Sequence, residues 1–210
     1  MELRKDLTRV GLFGGTFDPI HIGHLMVAQE AALKIGLQEV WFMPTGKPWL
    51  KEGVPVSSAE HRKTMADIAT EENPLFKVSS MEINRPGPSY TVETLKQIKE
   101  TGARGKPFFI IGMDSLESLH RWHNPSELFD LCSLVVVSRP AYPGLDLGSI
   151  ENIRPGSTKE ITVLDGLRIG ISGEEVRRRV AEKLPIKYWV PSKVEEYIYK
   201  NALYRGLNGE

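Results

Sequence analysis

The order of elements in the chain predicts one α/β domain, with helices on both faces of a doubly wound parallel sheet. Short apolar segments alternate with amphipathic helical segments along the 210 residues, and this alternation is typical of parallel sheets. The first unit is strand, helix, strand, which implies a right-handed crossover. There is no internal repeat, and the one shift in composition, at Tyr142–Lys159, is too short for a domain. A single domain over residues 1–210 is therefore expected.

The composition argues against several classes of protein. Lys plus Arg and Asp plus Glu each total 27, and this zero formal charge disfavours non-specific nucleic-acid binding. No apolar run approaches the length of a membrane span, and no signal-like apolar region follows the charged N-terminus. The single cysteine, Cys132, is expected to be a buried, inert thiol. We expect a cytoplasmic protein with no nucleic-acid or membrane partner.

The first connection between a strand and a helix carries the strongest chemical signal. Val10–Phe13 is predicted as a buried strand, and Leu25–Lys34 as a helix that stops at Gly36. Between them, His21 and His24 lie where the helix opens. A helix N-terminus presents unpaired N–H groups and a partial positive charge, which favours a bound anion.

The residues on either side of the histidines point to phosphate as that anion. Gly14 and Gly15 allow the backbone to approach a ligand closely. A metal site is the alternative interpretation of the two histidines. Zinc requires three or four ligands, and the sequence offers no obvious set, so phosphate is the preferred prediction.

The next elements place a basic loop and a helix at the same edge of the sheet. Gln38–Met43 is predicted as the second strand, and the loop that follows it, residues 44–56, is either a ligand loop or a solvated surface loop. A helix is expected to begin at Ser57, with Glu60 completing a capping box. Arg62 on this helix is either a solvated charge or a ligand contact.

A Pro- and Gly-containing loop follows the third strand, Phe76–Ser79. Its last residues, Pro88-Ser89-Tyr90-Thr91, open a helix that is expected to end near Gly102. Ser89 or Thr91 is expected to cap that helix. Uncapped amides at the same place would suit a ligand carboxylate, and the two interpretations are compatible.

The central strand, Pro107–Ile111, leads into a second polar cluster. Gly112 and Asp114 come directly after it, in the crevice outside the sheet. Asp114 suits a ribose hydroxyl, a hydrated Mg²⁺ or the cap of the next helix. Trp122 has polar neighbours, which favours a ring that stacks on an aromatic ligand over a core residue.

The last third of the chain predicts a second anion site. Leu131–Ser138 and Glu160–Leu164 are expected as strands, with a loop at Tyr142–Lys159 between them, and Ile169–Ser172 as the end of a short strand. Ser172 is a good helix N-cap, with Glu175 completing a capping box.

Arg177 lies about one and a half turns into this helix, within reach of an anion at its N-terminus. Ser192–Tyr204 is expected as a final amphipathic helix.

Four strings in this chain together resemble a known family. They are Gly-Gly-Thr-Phe-Asp-Pro-Ile-His-Ile-Gly-His from Gly14, Pro-Ser-Tyr-Thr-x-x-Thr-Leu from Pro88, Ile-Gly-x-Asp-Ser-Leu from Ile111, and the Ile171-Ser172 to Arg177 motif. The first is similar to the signature of the HxGH/TxGH nucleotidyltransferases, and the set is most similar to the bacterial nicotinate-nucleotide adenylyltransferases. The resemblance implies a Rossmann-like fold. It also implies the joining of ATP and nicotinate mononucleotide to give nicotinate adenine dinucleotide and pyrophosphate.

The resemblance also assigns roles to residues. The catalytic residues would be His21, His24 and Arg177. The ATP and phosphate contacts would be Gly14, Gly15, Thr16, Phe17, Lys51, Gly112, Asp114, Arg139, Ile171 and Ser172. The mononucleotide contacts would be Tyr90, Thr91, Thr94 and Trp122. Mg²⁺ would be carried by ATP, with no direct protein ligand.

Two positions depart from the family pattern. Leu50 stands where the family has a histidine, and Glu174 where it has a threonine. These departures keep open a catalytically weak nucleotide-binding module. Two further enzymes of the superfamily compete with the first interpretation, a nicotinamide-mononucleotide and a pantetheine-phosphate adenylyltransferase; the Pro-Ser-Tyr-Thr loop and Trp122 argue against pantetheine. The sequence leaves a homo-oligomer open.

Overall fold

The structure is a computed structural model that describes residues 8–49, 55–101, 105–137, 147–165 and 170–205. Within those ranges the strands are β1 (Val10–Gly15), β2 (Glu39–Pro44), β3 (Phe76–Val78), β4 (Phe108–Gly112), β5 (Ser133–Val137) and β6 (Ile161–Leu164). All pairs are parallel, in the order β3-β2-β1-β4-β5-β6. The order reverses between β1 and β4, so the sheet is doubly wound, as predicted.

Helices connect the strands. In the described ranges they are α1 (Ile22–Ile35), α2 (Ala59–Thr70), α3 (Thr91–Glu100), α4 (Met113–Glu117), α5 (Pro125–Leu131), α6 (Leu147–Ile153), α7 (Gly173–Ala181) and α8 (Ser192–Lys200), with 3₁₀ turns at Leu119–Arg121 and Ser157–Glu160. None of the described helices is both long and apolar enough to cross a membrane.

The core has two layers, one on each face of the sheet. Side chains alternate between faces along a strand. Phe13 and Phe42 pack with apolar residues of α1, α2, α7 and α8 on one face, whereas Leu12 and Trp41 pack with α3, α4, α5 and α6 on the other. Cys132 is buried in the second layer, and burial raises the pKa of its thiol to about 12. It is therefore the inert thiol that the sequence predicts.

Several local predictions were wrong. Ser58 caps α2, because its Oγ accepts from the His61 N–H at 3.3 Å; the Ser57 N–H donates instead to an Asp18 carboxylate oxygen at 3.2 Å. The described part of the expected loop at Tyr142–Lys159 contains α6 and a 3₁₀ turn. Ile150 of α6 is buried in the core, and this packing stabilises a helix that the local sequence does not predict.

The C-terminal region also differs from expectation. Residues 170–172 form no strand, and Ile169 lies outside the described residues. The last helix ends at Lys200, four residues before the expected end. Tyr204 lies beyond it with a positive φ of 63° and is buried.

Candidate active site

A cavity of about 350 Å³ opens at the carboxyl ends of β1 and β4, where the strand order reverses. Ligands of doubly wound sheets bind at this edge. The cavity brings together most of the residues predicted from sequence: Gly14, Gly15, Thr16, His21, His24, Tyr90, Thr91, Gly112, Asp114, Trp122 and Ile171. The predicted pieces, far apart in the chain, therefore form one site.

The two histidines form a stacked pair at the start of α1. Their ring centroids are 3.6 Å apart and their planes differ by 20°. His21 is the N-cap residue, and its backbone N–H donates to Nδ1 of His24 at 3.2 Å. Because Nδ1 accepts, the proton of a neutral His24 ring lies on Nε2. His24 is thus held in the tautomer that has an N–H donor on its other nitrogen.

The N-terminus of α1 is less open than the sequence predicts. The Ile22 N–H, first in the helix, donates to the Trp189 carbonyl at 2.9 Å. The His21 N–H is occupied by His24. The histidine side chains therefore carry a larger share of any anion binding than the expected row of free amides.

The glycines before the histidines have a packing role that the sequence does not reveal. A Cβ at Gly15 would lie 2.9 Å from the Phe17 ring, and one at Gly14 would lie 3.0 Å from the Phe109 ring. Phe17 itself is buried, and its ring meets that of His24 edge-on at 5.0 Å. Phe17, predicted as a phosphate contact, therefore packs against His24 and is not among the residues that line the cavity, whereas Thr16 is one of them.

Arg62 is neither a solvated charge nor a ligand contact, the two roles expected for it. It is only 1% exposed, and its guanidinium donates to three carbonyls: Ser57 at 2.9 Å, Thr16 at 2.8 Å and Gly46 at 3.1 Å. Burial lowers the pKa of this guanidinium, and the nearby Asp18 charge opposes that shift. Arg62 therefore ties the loop before α1 to the loop after β2.

The second predicted anion site lies off the cavity wall. Ser172 caps α7, since its Oγ accepts from the Glu175 N–H at 3.1 Å, as expected. The Glu175 carboxylate binds Arg178. Arg177 donates from Nη1 to the Asp18 carbonyl at 2.6 Å. Of the predicted residues here, only Ile171 lines the cavity.

A second group of residues that line the cavity is aromatic. The Tyr90 ring stacks on His123, with centroids 4.4 Å apart and planes 22° apart, and meets Trp49 edge-on at 5.7 Å. Trp122 lies edge-on to Phe109 at 6.2 Å. Its Nε1 is buried and has no hydrogen-bond partner among the described residues.

Sequence reasoning missed Trp49 and His123 as cavity residues. Each belongs to a stretch that the sequence marks as important: Trp49 to the basic loop after β2, and His123 to the polar surroundings of Trp122. A ring-bearing side chain within a predicted ligand-binding stretch is the signal that could have identified them.

The start of α3 lines the same cavity, through Tyr90 and Thr91. Tyr90 is its N-cap residue and makes no side-chain cap hydrogen bond, so the prediction that Ser89 or Thr91 caps the helix was wrong. Ser89 Oγ accepts instead from the Gly46 N–H at 3.0 Å. A Cβ at Gly46 would collide with the Glu82 carbonyl, so this close approach needs glycine.

Thr94, predicted to contact the mononucleotide, is buried and is not among the residues that line the cavity. Its hydroxyl donates to Glu82 Oε1 at 2.9 Å and accepts from Arg85 Nη1 at 2.9 Å. Glu82 lines the cavity and was not predicted; it is 7% exposed, and burial raises the pKa of its carboxyl.

Asp114 is the charged residue of the cavity lining that the sequence connected with Mg²⁺. Asp114 is exposed and lines the cavity just past β4, and Gly112, not Asp114, is the N-cap residue of α4. The part of the chain that is described contains no group of three or more His, Cys, Asp or Glu arranged to hold a metal ion. Lys51 and Arg139, both predicted phosphate contacts, lie outside the described residues, as does Leu50.

Comparison with known proteins gives consistent results. The family model described as "Cytidylyltransferase-like" matches residues 12–179. A protein of Roseiflexus sp. (strain RS-1) named "Probable nicotinate-nucleotide adenylyltransferase" is 41% identical over 196 residues, which cover 93% of this chain and 98% of the relative. One of the same name from Leifsonia xyli subsp. xyli is 42% identical over 208 residues, which cover 99% of this chain and 100% of the relative.

Solved structures agree on the fold. The nicotinic acid mononucleotide adenylyltransferase of Plasmodium falciparum, complexed with NaAD, is similar with a TM-score of 0.78 and 20% identity. The match covers 94% of this chain and 97% of that one. The Rossmann-like architecture is therefore confirmed.

Proposed function

Because this chain belongs to the cytidylyltransferase-like family, and within it to the nicotinate-nucleotide adenylyltransferases, we propose that it joins ATP and nicotinate mononucleotide. The products are nicotinate adenine dinucleotide and pyrophosphate. One observation carries the proposal: a single cavity is lined both by the stacked His21–His24 pair and by the aromatic residues Tyr90 and Trp122. A phosphate site and a site for a flat ring in one cavity match the two things the substrates require, a place for the reacting phosphates and a place for the pyridine ring. A cytoplasmic location stays a prediction.

The reaction is an in-line displacement. An oxygen of the mononucleotide 5′-phosphate attacks the α-phosphorus of ATP, the bond from that phosphorus to the bridging oxygen breaks, and pyrophosphate leaves with the electron pair. A phosphate monoester has a second pKa of about 6, so the nucleophile is largely ionised at neutral pH. The chain therefore has no proton to remove. Its contribution is positioning of the substrates and stabilisation of charge.

The histidine pair stabilises the transferring phosphoryl group. His24 donates from Nε2, the nitrogen that its bond to the His21 N–H leaves protonated. Thr16, with the backbone of Gly14 and Gly15, lines the same end of the cavity and cradles the triphosphate. Phe17 acts beneath them, through its contact with the His24 ring.

Arg177 and Ser172 support the β- and γ-phosphates from α7. A guanidinium has five N–H donors, and Arg177 uses Nη1 on the Asp18 carbonyl. The remaining donors reach an anion at the α7 N-terminus. Lys51 and Arg139 add positive charge from outside the described residues.

Mg²⁺ enters with ATP. Mg²⁺ is usually held by one or two carboxylates, substrate phosphates and water, and the exposed Asp114 carboxylate at the cavity mouth fits that pattern better than an all-protein cage would. When bound, the ion neutralises charge on the leaving pyrophosphate. Asp114 would hold water molecules of the hydrated ion or a ribose hydroxyl.

The N-terminus of α3 selects the acid form of the mononucleotide. Its start has no side-chain cap, so it presents N–H groups and the positive end of the helix dipole. A carboxylate accepts from such donors, whereas a carboxamide places its own N–H groups against them at a cost of about 1–3 kcal/mol each. We expect kcat/KM for nicotinate mononucleotide to exceed that for the amide by roughly ten- to a thousand-fold.

The test measures the release of pyrophosphate when the protein is mixed with ATP, Mg²⁺ and one acceptor. The acceptors to compare are nicotinate mononucleotide, nicotinamide mononucleotide and pantetheine phosphate. Thr91→Ala should narrow the preference for the acid, because it removes a donor at the α3 start. The matched variant Trp122→Ala should weaken both pyridine substrates alike, because both rings stack. Equal kcat/KM values for nicotinate and nicotinamide mononucleotide would refute the proposal that the N-terminus of α3 selects the acid. If no acceptor leads to pyrophosphate release, the proposed transferase activity itself is refuted.

A further inference from the structure

The end of the chain returns to the loop that carries the histidines. Asp18, three residues before His21, is only 5% exposed. Its carboxylate accepts from two directions: the Ser57 N–H at Oδ2, 3.2 Å, and the Tyr204 hydroxyl at Oδ1, 2.7 Å. Its backbone carbonyl accepts from Arg177. Asp18 is thus a buried carboxylate that is held by elements far away in the chain. It lies in the loop between β1 and α1, which is called the signature loop below.

The surroundings of Tyr204 favour a protonated hydroxyl, which can donate to the Asp18 carboxylate. Its side chain is 7% exposed, and its hydroxyl also lies 4.0 Å from the sulfur of Met65. Burial and the Asp18 charge raise the pKa of the phenol, so the hydroxyl keeps its proton. A hydrogen bond from a neutral hydroxyl to a buried carboxylate is strong and directional.

The C-terminal region holds the loop on both sides of His21. Tyr204 and Arg177 bind Asp18 before it, and the Trp189 carbonyl accepts from the Ile22 N–H directly after it. The loop is therefore clamped at two points only four residues apart. Small errors in the position of a catalytic group lower the rate strongly, because the aligned geometry is what accelerates the reaction.

We propose that Tyr204 is a positioning residue for the adenylyl transfer: by holding Asp18, its hydroxyl sets the loop that presents His21 and His24 to the phosphates. This inference rests on the proposed function of the two histidines. It predicts a loss in kcat without a matching loss in substrate affinity, because Tyr204 lies outside the cavity wall.

The chain offers a matched pair of variants. Tyr204→Phe removes the hydroxyl and retains the buried ring. Tyr197→Phe removes another hydroxyl of the C-terminal region, one that lies 2.9 Å from His61 Nδ1 on α2, away from the loop. Both variants lose one hydrogen bond, but only the first touches the signature loop.

The first measurement is steady-state kinetics of pyrophosphate release. Tyr204→Phe should lower kcat about tenfold and leave both KM values within about twofold, whereas Tyr197→Phe should keep the wild-type kcat. Asp18→Asn retains an oxygen that can accept from Tyr204, so Tyr204→Phe should still lower kcat in that background, by a smaller factor. An equal kcat in both tyrosine variants, or fully multiplicative losses with Asp18→Asn, overturns the proposal.

The second measurement does not depend on turnover. The ¹⁵N and ¹H signals of the histidine rings, recorded on the free protein, should move for His21 and His24 in Tyr204→Phe. In Tyr197→Phe only the His61 signals should move. Unmoved His21 and His24 signals in Tyr204→Phe overturn the proposal, whatever the kinetics show. A wild-type protein that releases no pyrophosphate refutes the proposed function instead, and the ring signals still decide the role of Tyr204.

Discussion

The helices α1 and α7 begin with similar sequence signals, but their N-terminal residues make different contacts. α1 and α7 both follow an N-cap residue, and each carries a nitrogen-bearing side chain near its start: His24 in the first turn of α1, and Arg177 in the second turn of α7. The start of α1 places His21 and His24 in the cavity. The start of α7 places Arg177 against the carbonyl of Asp18, in the loop that leads to α1.

The difference comes from where each helix starts relative to the sheet. α1 follows β1, one of the two strands between which the strand order reverses, so its N-terminus lies at the mouth of the crevice. α7 packs on the same face, but no described strand leads directly into it. A capping motif predicts which donors a helix presents, and the position of the helix decides what those donors meet.

The strongest test of this comparison is His24→Ala. We expect kcat to fall by a factor on the order of 10²–10³, as for the loss of one donor to a developing oxyanion. Thermal stability should change little, since the ring lies at the cavity surface. His61→Ala on α2 is the control and should keep its turnover. If His24→Ala turns over like the wild type, the α1 end is not the site of charge stabilisation.

A second variant tests how the loop before α1 is held. Arg62→Met retains much of the side-chain volume but leaves three partly buried carbonyls without their donor. We expect the free energy of unfolding to fall by about 3 kcal/mol, measured by denaturant titration.

Lys63→Met is the control for Arg62, because Lys63 lies next to it on α2 and pairs with Asp67 in partly exposed positions. It should change stability little. A similar stability for the two variants would mean that the Arg62 contacts do not hold the loop.

Arg177→Ala compares the α7 end directly with α1. We expect KM for ATP to rise about tenfold, since a charge-assisted contact to phosphate is lost, and KM for the mononucleotide to rise less. Initial rates with each substrate varied in turn give both values. A fall in kcat with both KM values unchanged would show that Arg177 acts only through Asp18.

The smallest effect is expected for Glu174→Thr. Glu174 is exposed in the first turn of α7, so its repulsion of phosphate is screened by solvent. We expect kcat/KM for ATP to stay within about twofold of wild type or to increase. Glu174→Gln, which removes the charge without adding a hydroxyl, separates the two contributions. Loss of turnover in Glu174→Thr would give the carboxylate a positive role.

The sequence by itself determined the fold class and the edge of the sheet at which the candidate site lies. The alternation of apolar strands with helices predicted the doubly wound sheet, because periodicity is a local property of the chain. The Gly14–His24 string and the Tyr90-Thr91 loop were placed correctly at the cavity, because a short segment directly after a parallel strand lies at the carboxyl edge of the sheet.

Only the tertiary structure decided how the polar residues around the site are used. Arg62, Asp18 and Glu82 are buried and satisfied by partners between 5 and 186 residues away, such as Tyr204 for Asp18. A charged residue in a sequence looks the same whether it faces water or a buried partner, because its burial depends on segments that meet only when the chain folds. For that reason the motifs identified many of the residues that face the cavity, and the fold alone revealed those that hold them in place.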